Sequence, residues 1–114
     1  MTDEQLSIEI KKEIIVKNLE RYFDTLENSK EVFVNNSWRK VQILFESLND
    51  ENKENLKEFV KMILIETTTD LLSFIDDLTR FEGQSEGLEL RYNDQKISGS
   101  LQEYLLMDIE DNGL

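Results

Sequence analysis

The sequence predicts a mainly α fold with a small β component (α+β). It reads as one helical domain over residues 1–114, with about four helices, a long central helix and a β-hairpin at about 88–98 before the last helix. Three observations carry this reading. Proline is absent and the four glycines, Gly83, Gly87, Gly99 and Gly113, all fall in the last third, so nothing punctuates the first two thirds. Apolar residues there recur at three- and four-residue intervals, the period of a helix face. Leu88-Glu89-Leu90-Arg91-Tyr92 instead alternates apolar and polar residues, the period of a half-buried strand.

The first helix is predicted over residues 3–26. Thr2 and Gln5 have the spacing of a capping box, and Leu6, Ile10, Ile14, Ile15, Leu19, Tyr22, Phe23 and Leu26 form one stripe, with Ile8 and Val16 off it. Ser29 is a candidate cap for a second helix with Phe33, Val41, Leu44, Phe45 and Leu48 on one face. Asn35-Asn36-Ser37 can delay its start to Trp38, and Val32-Phe33-Val34 reads equally as a short strand. Asn49-Asp50 opens the third stretch, periodic from Leu56 to Leu78. Continuous to Arg80, it would measure about 45 Å at ~1.5 Å per residue. That exceeds the width of a small domain, so a break is expected at Thr67-Thr68-Thr69, three β-branched residues in a row.

Beyond Phe81 the character changes. Gly83 and Gly87 bracket a polar loop, Asn93-Asp94 suit a tight turn, and Gln95-Lys96-Ile97-Ser98 returns as the second strand. A two-stranded hairpin is marginal alone and must lean on helices or further strands. Ser100 and Glu103 repeat the capping-box spacing, and Leu101, Tyr104, Leu105 and Ile109 supply the face of a last helix.

With 114 residues, 39% of them hydrophobic, the chain supports one core. The 25 Asp and Glu against 13 Lys and Arg give a net charge of -12, and both histidine and cysteine are absent. That removes thiol nucleophiles, disulfides, histidine acid–base pairs and ordinary zinc sites. The acidic start lacks the basic and apolar regions of a secretory signal, and the unbroken apolar run Met62 to Ile65 is far too short to span a bilayer, so a cytoplasmic protein is expected. The charge also disfavours nucleic acid and anionic membranes as partners and favours a basic protein.

Carboxylates are the only abundant reactive groups. Glu66 and Asp70 stand four apart on a helix face and Asp76-Asp77 are adjacent, but solvated helix faces account for them as well as acid–base chemistry does. Asp108 to Gly113 resembles the first half of a calcium loop and lacks the twelfth-position acid, so a frayed acidic tail is expected. No enzyme activity, metal or cofactor is expected.

Charge distribution says more. Residues 1–57 hold 12 acids and 9 bases, net -3, whereas 58–114 hold 13 acids and 4 bases, net -9. Asp76 and Asp77 fall near the predicted end of the long helix, and Asp108, Glu110 and Asp111 at the end of the last one. There the helix dipole disfavours each by about 0.3–1 kcal/mol. Acids placed against local stability point to binding, unless Asp76 pairs with Arg80 one turn on and the terminal charge run serves only solubility. Trp38, Tyr92 and Tyr104 are candidates either for interface anchors or for core residues with one polar tip.

The stretch Asp70-Leu71-Leu72-Ser73-Phe74-Ile75-Asp76-Asp77-Leu78, followed by a hairpin and Ser98-Gly99-Ser100-Leu101-Gln102-Glu103, resembles small bacterial proteins related to the immunity proteins of contact-dependent and polymorphic toxin systems. It covers less than half of the chain. The resemblance implies a small cytoplasmic inhibitor that binds a toxin domain and blocks its active site or substrate surface. Charge and resemblance together give the leading expectation, an acidic, immunity- or antitoxin-like binding module for a basic partner such as a toxin nuclease domain. Its contact surface is predicted at Asp70, Asp76, Asp77, Glu82, Glu86, Glu89 and Tyr92. The alternative is a self-associating structural or adaptor protein with Ile8, Val16 and Trp38 as its exposed apolar patch.

Overall fold

The computed structural model describes residues 1–28 and 36–114. The candidate cap Ser29 and the Val32-Phe33-Val34 triplet lie outside the described residues. In chain order the elements are α1 (Asp3–Ile10), a π-helical segment (Lys11–Val16), α2 (Lys17–Asn28), α3 (Asn36–Ser47), α4 (Asp50–Ile75), β1 (Arg91–Tyr92), β2 (Gln95–Lys96) and α5 (Leu101–Asn112). The fold is mainly α, with a two-stranded antiparallel hairpin before the last helix, as the sequence predicts.

The first rod starts at the predicted capping box. The Thr2 hydroxyl accepts the Gln5 N–H at 3.1 Å, and the Gln5 side chain accepts the Thr2 N–H at 2.9 Å. Its buried positions are Ser7, Ile15, Leu19, Phe23 and Leu26, while Ile14, predicted on the stripe, is exposed. The π segment explains the shift. Ser7, Lys11, Ile15, Leu19 and Phe23 are spaced strictly by four, which drifts about 40° per step on an ideal α-helix. A wider turn, with Lys17 N–H reaching back to Lys12 C=O, absorbs that drift and keeps the row on one side. Ser7 is fully buried, its hydroxyl bonded to Glu4 C=O at 2.7 Å, and this small residue sits on the helix that α5 packs against.

α4 corrects the predicted break. It runs unbroken through Thr67-Thr68-Thr69, about 39 Å for its 26 residues. Thr68 and Thr69 are buried, with their hydroxyls satisfied by Leu64 C=O at 2.6 Å and Glu66 C=O at 3.0 Å, so β-branching there is packed rather than disruptive. The helix ends at Ile75, short of Arg80. Asp77 adopts a left-handed φ of 58°, and Leu78 N–H bonds Ser73 C=O while Asp77 N–H bonds Phe74 C=O. This is the Schellman closure, made by aspartate where glycine is usual.

Two apolar clusters meet at Leu64. Ile15, Leu72, Leu101 and Leu105 join the π segment, the second half of α4 and α5. Leu19, Phe23, Leu26 and Phe45 join α2 to α3 against the first half of α4. α3 reaches the second cluster through Phe45 and half-buried Trp38, whose rings contact Phe23 and Tyr22 respectively. The radius of gyration is 17.4 Å, against about 13 Å for a closely packed domain of this length, so the helices are splayed.

The hairpin turns at Asn93 and Asp94, both with positive φ, as predicted. Only Ile97 of its apolar residues is buried; Leu88, Leu90 and Tyr92 are exposed, contrary to the half-buried strand that their alternation predicts. α5 begins at Leu101 with no side-chain bond from Ser100, so the second capping box does not form.

Candidate functional site

The seven predicted contact residues separate by burial. Asp76 is 6% exposed and is not on the surface. Its Oδ1 accepts the N–H groups of Gly99 at 2.7 Å and Leu101 at 3.1 Å, and its Oδ2 accepts that of Gln102 at 2.8 Å. The acid at the C-terminus of α4 therefore serves the N-terminus of α5, where both the free N–H groups and the dipole favour negative charge. The predicted conflict with the dipole of α4 is offset at this residue by its place at the start of α5. Sequence reasoning missed the cap because donor and acceptor lie some 25 residues apart.

Asp70, Asp77, Glu82, Glu86, Glu89 and Tyr92 are exposed. The residue that meets Arg80 is Asp77 rather than Asp76. The guanidinium grips both carboxylate oxygens, at 2.8 and 3.1 Å, and also donates to Ser85 C=O. This bond holds the Asp77 carboxyl below its ordinary value and raises Arg80 above its own. Gly87 lies against the same carboxylate so closely that a Cβ there would run into it. Glu89 meets Arg91 at 3.3 Å. Such exposed pairs contribute little and can exchange for a partner's groups.

Between Asp77 and Lys96 the surface also carries apolar side chains. Leu78, Phe81, Leu88, Leu90 and Tyr92 are all exposed, Tyr92 by 47%, while Phe81 stacks on Phe74 with centroids 4.1 Å apart. Leu88, Leu90 and Tyr92 alternate in sequence with Glu89 and Arg91 along the approach to β1 and into it, and all three are exposed. The hairpin is fixed from beneath. Ser98 Oγ accepts Leu90 N–H at 2.9 Å, and Gly99 is bound to Asp76.

The remaining acidic candidates have structural roles or stand apart. Asp108 forms an ion pair with Lys11 at 2.7 Å, both side chains largely buried, and Lys11 also donates to Gly113 C=O at 2.9 Å. Lys11 and the Asn112 amide hold the Asp108 carboxyl below its ordinary value. The segment expected as a frayed tail is thus helical to Asn112 and tied to the π segment. Glu66 and Asp70 are exposed on α4. Among the described residues no three acids converge as metal ligands, and no helix is long and apolar enough to cross a membrane.

Sequence reasoning missed a second feature. A groove of about 470 Å³ opens between α2, α3 and α4, lined by Tyr22, Trp38, Val41, Leu44, Phe59 and Ile63 among others. Its apolar period on α3 and α4 is the same signal as a buried face, so spacing alone assigns these residues to the core. Ile8 lies apart in a hollow with Met1, Gln5 and Glu9, and Val16 is half-buried, so the predicted patch of Ile8, Val16 and Trp38 is not the main apolar surface.

No protein-family model, curated protein or solved structure significantly matches the chain.

Proposed function

We propose that the chain is a non-enzymatic protein-binding module, an immunity- or antitoxin-like inhibitor, which meets a basic partner through the surface around Asp70, Asp77, Glu82, Glu86, Glu89 and Tyr92. One observation carries the reading. Leu88, Leu90 and Tyr92 stay uncovered beside carboxylates on a hairpin anchored from below. An apolar anchor ringed by charge is what a protein interface uses, the aromatic side chain giving residence time and the charges giving association rate. Asp76 belongs to the scaffold of this surface, since it ties the segment after the hairpin to α4.

The net charge of -9 over residues 58–114 supports a basic partner, and in a nuclease the carboxylates would occupy positions that otherwise hold phosphates. The test is kinetic binding to a panel of basic toxin nuclease domains at increasing salt. The expected result is an association rate that falls steeply with salt, with Tyr92→Ala accelerating dissociation. Binding that ignores salt, or that survives charge reversal at Glu82 and Glu86 unchanged, refutes the electrostatic mechanism.

A further inference from the structure

We infer that Asn112-Gly113, at the end of α5, is a site of spontaneous deamidation whose rate is set by the grip of Lys11 on that turn. The chain has nine asparagines, and Asn112 alone precedes a glycine. The distinction is chemical. Deamidation begins when the backbone nitrogen of the following residue attacks the asparagine side-chain carbonyl carbon, and a side chain on that residue crowds the approach; glycine has none. The space beside Gly113 is open, with no atom within 4 Å of the place a Cβ would take.

The reaction needs only water. The Gly113 nitrogen gives up its proton and bonds to Asn112 Cγ, the Cγ–Nδ2 bond breaks, and Nδ2 leaves with that proton as ammonia. The resulting five-membered imide then takes up a water molecule. Opening at the side-chain carbonyl gives aspartate, and opening at the main-chain carbonyl gives isoaspartate, in which the backbone runs through the side chain.

Both reacting groups are held in the folded chain. Gly113 N–H donates to Ile109 C=O at 2.8 Å, and the Asn112 amide donates to Asp108 Oδ1 at 2.7 Å. Asn112 is also the last helical residue, so the turn must open locally before nitrogen and Cγ can meet. Lys11 opposes that opening. Its ammonium bonds Asp108 Oδ2 at 2.7 Å and Gly113 C=O at 2.9 Å, so one side chain of the π segment spans the turn. Asn112 and Gly113 are themselves exposed, which leaves hydrogen bonds rather than packing to keep the turn shut.

The product undoes this protection. Aspartate at position 112 has no proton to donate, stands one turn from Asp108 with the same charge, and adds a negative charge at the helix end that the dipole disfavours. Isoaspartate also lengthens the backbone, which breaks the register of the Gly113 bond to Ile109. Either product weakens the link from Lys11 to α5. Ile109, packed against the first apolar cluster, lies within the loosened turn, and hydrolysis makes the change one-way.

The test is incubation of the purified full chain for weeks at neutral pH and body temperature, read by peptide mapping, ammonia release and isoaspartate-specific methylation. The expected result is conversion of an amide to an acid at Asn112 ahead of every other asparagine, with isoaspartate among the products. The chain denatured in guanidinium chloride should react about tenfold faster. Lys11→Met and Asp108→Asn should each react severalfold faster than the parent, and Gly113→Ala severalfold more slowly. The first two break the link from opposite sides, so either one that keeps its helical circular dichroism decides the point. An Asn112 that stays intact in the folded chain while the denatured chain is converted overturns the site, as does earlier reaction at another asparagine. Equal rates in the parent and the folded variants of Lys11 and Asp108 overturn the gating. Asn112→Asp should speed hydrogen exchange at residues 109–113 severalfold, and unchanged exchange overturns the loosening of α5.

Discussion

The carboxylate of Asp76 accepts the backbone N–H of Gln102 at 2.8 Å, so the acid that terminates α4 is also the cap that starts α5. Its other oxygen takes Gly99 and Leu101, and the three bonds set the direction in which the chain leaves the hairpin. Removing the carboxylate leaves buried donors without an acceptor. Asp76→Ala should cost about 2–4 kcal/mol. Asp76→Asn should cost less, about 1–2 kcal/mol, since one oxygen remains. Urea midpoints at neutral pH check both; a change below a few tenths of a kcal/mol for the alanine variant would refute the capping role.

The Lys11–Asp108 pair makes stability depend on acid. Asp108 has a folded-state value below its ordinary one, so its contribution is complete above about pH 4 and is lost as pH falls through the folded-state value. For a mostly buried pair the contribution is about 1–2 kcal/mol, between exposed and fully buried cases. Asp108→Asn should therefore be less stable than the parent at pH 7 and converge with it toward pH 2, read from denaturation at stepped pH. A difference that persists undiminished in strong acid argues against the ion pair.

Gly87 is needed for lack of a side chain. Gly87→Ala should displace the Asp77 carboxylate and loosen its grip on Arg80, with little change in global stability because the pair is exposed. Crystallography or chemical shifts of the Arg80 Nε–H would report the loss. An unchanged Arg80 environment would show that the loop relaxes freely.

Ser7 separates size from polarity. The hydroxyl bonds only within its own turn, so Ser7→Ala should lie within about 0.5 kcal/mol of the parent, whereas Ser7→Leu should push α5 off α1 at a cost of about 1–3 kcal/mol. Thermal denaturation distinguishes them. Equal effects of the two substitutions would mean that the hydroxyl rather than the space matters.

Much of the fold is legible in the residues themselves. Thr2 and Gln5 announce the first helix and cap it as read; Asn49 opens α4, its side chain accepting Asn52 N–H at 2.8 Å; Asn93-Asp94 make the turn between strands. Each is a local signal, with donor and acceptor within a few residues. The errors have the opposite character. Ser100 has the composition of a cap, yet the Asp76 carboxylate accepts the N–H groups there. Thr67-Thr68-Thr69 have poor intrinsic helicity, which packing and back-bonded hydroxyls offset. Of the candidate surface, Asp70, Asp77, Glu82, Glu86, Glu89 and Tyr92 are exposed, whereas nothing local distinguishes Asp76 from Asp77 as the buried member of the pair.

The sequence by itself determined the helical class, the position of the hairpin, the absence of thiol and imidazole chemistry, and the concentration of acid in the second half, because these depend on composition and on contacts within one or two turns. Tertiary structure decided which acids serve the fold and which face solvent, and which apolar residues remain open. Val41, Leu44, Phe59 and Ile63 have the same spacing as a core face, and only the splay of α3 from α4 leaves them exposed. The physical reason is that periodicity specifies the side of a helix that avoids water, whereas whether anything covers that side depends on residues far away in the chain.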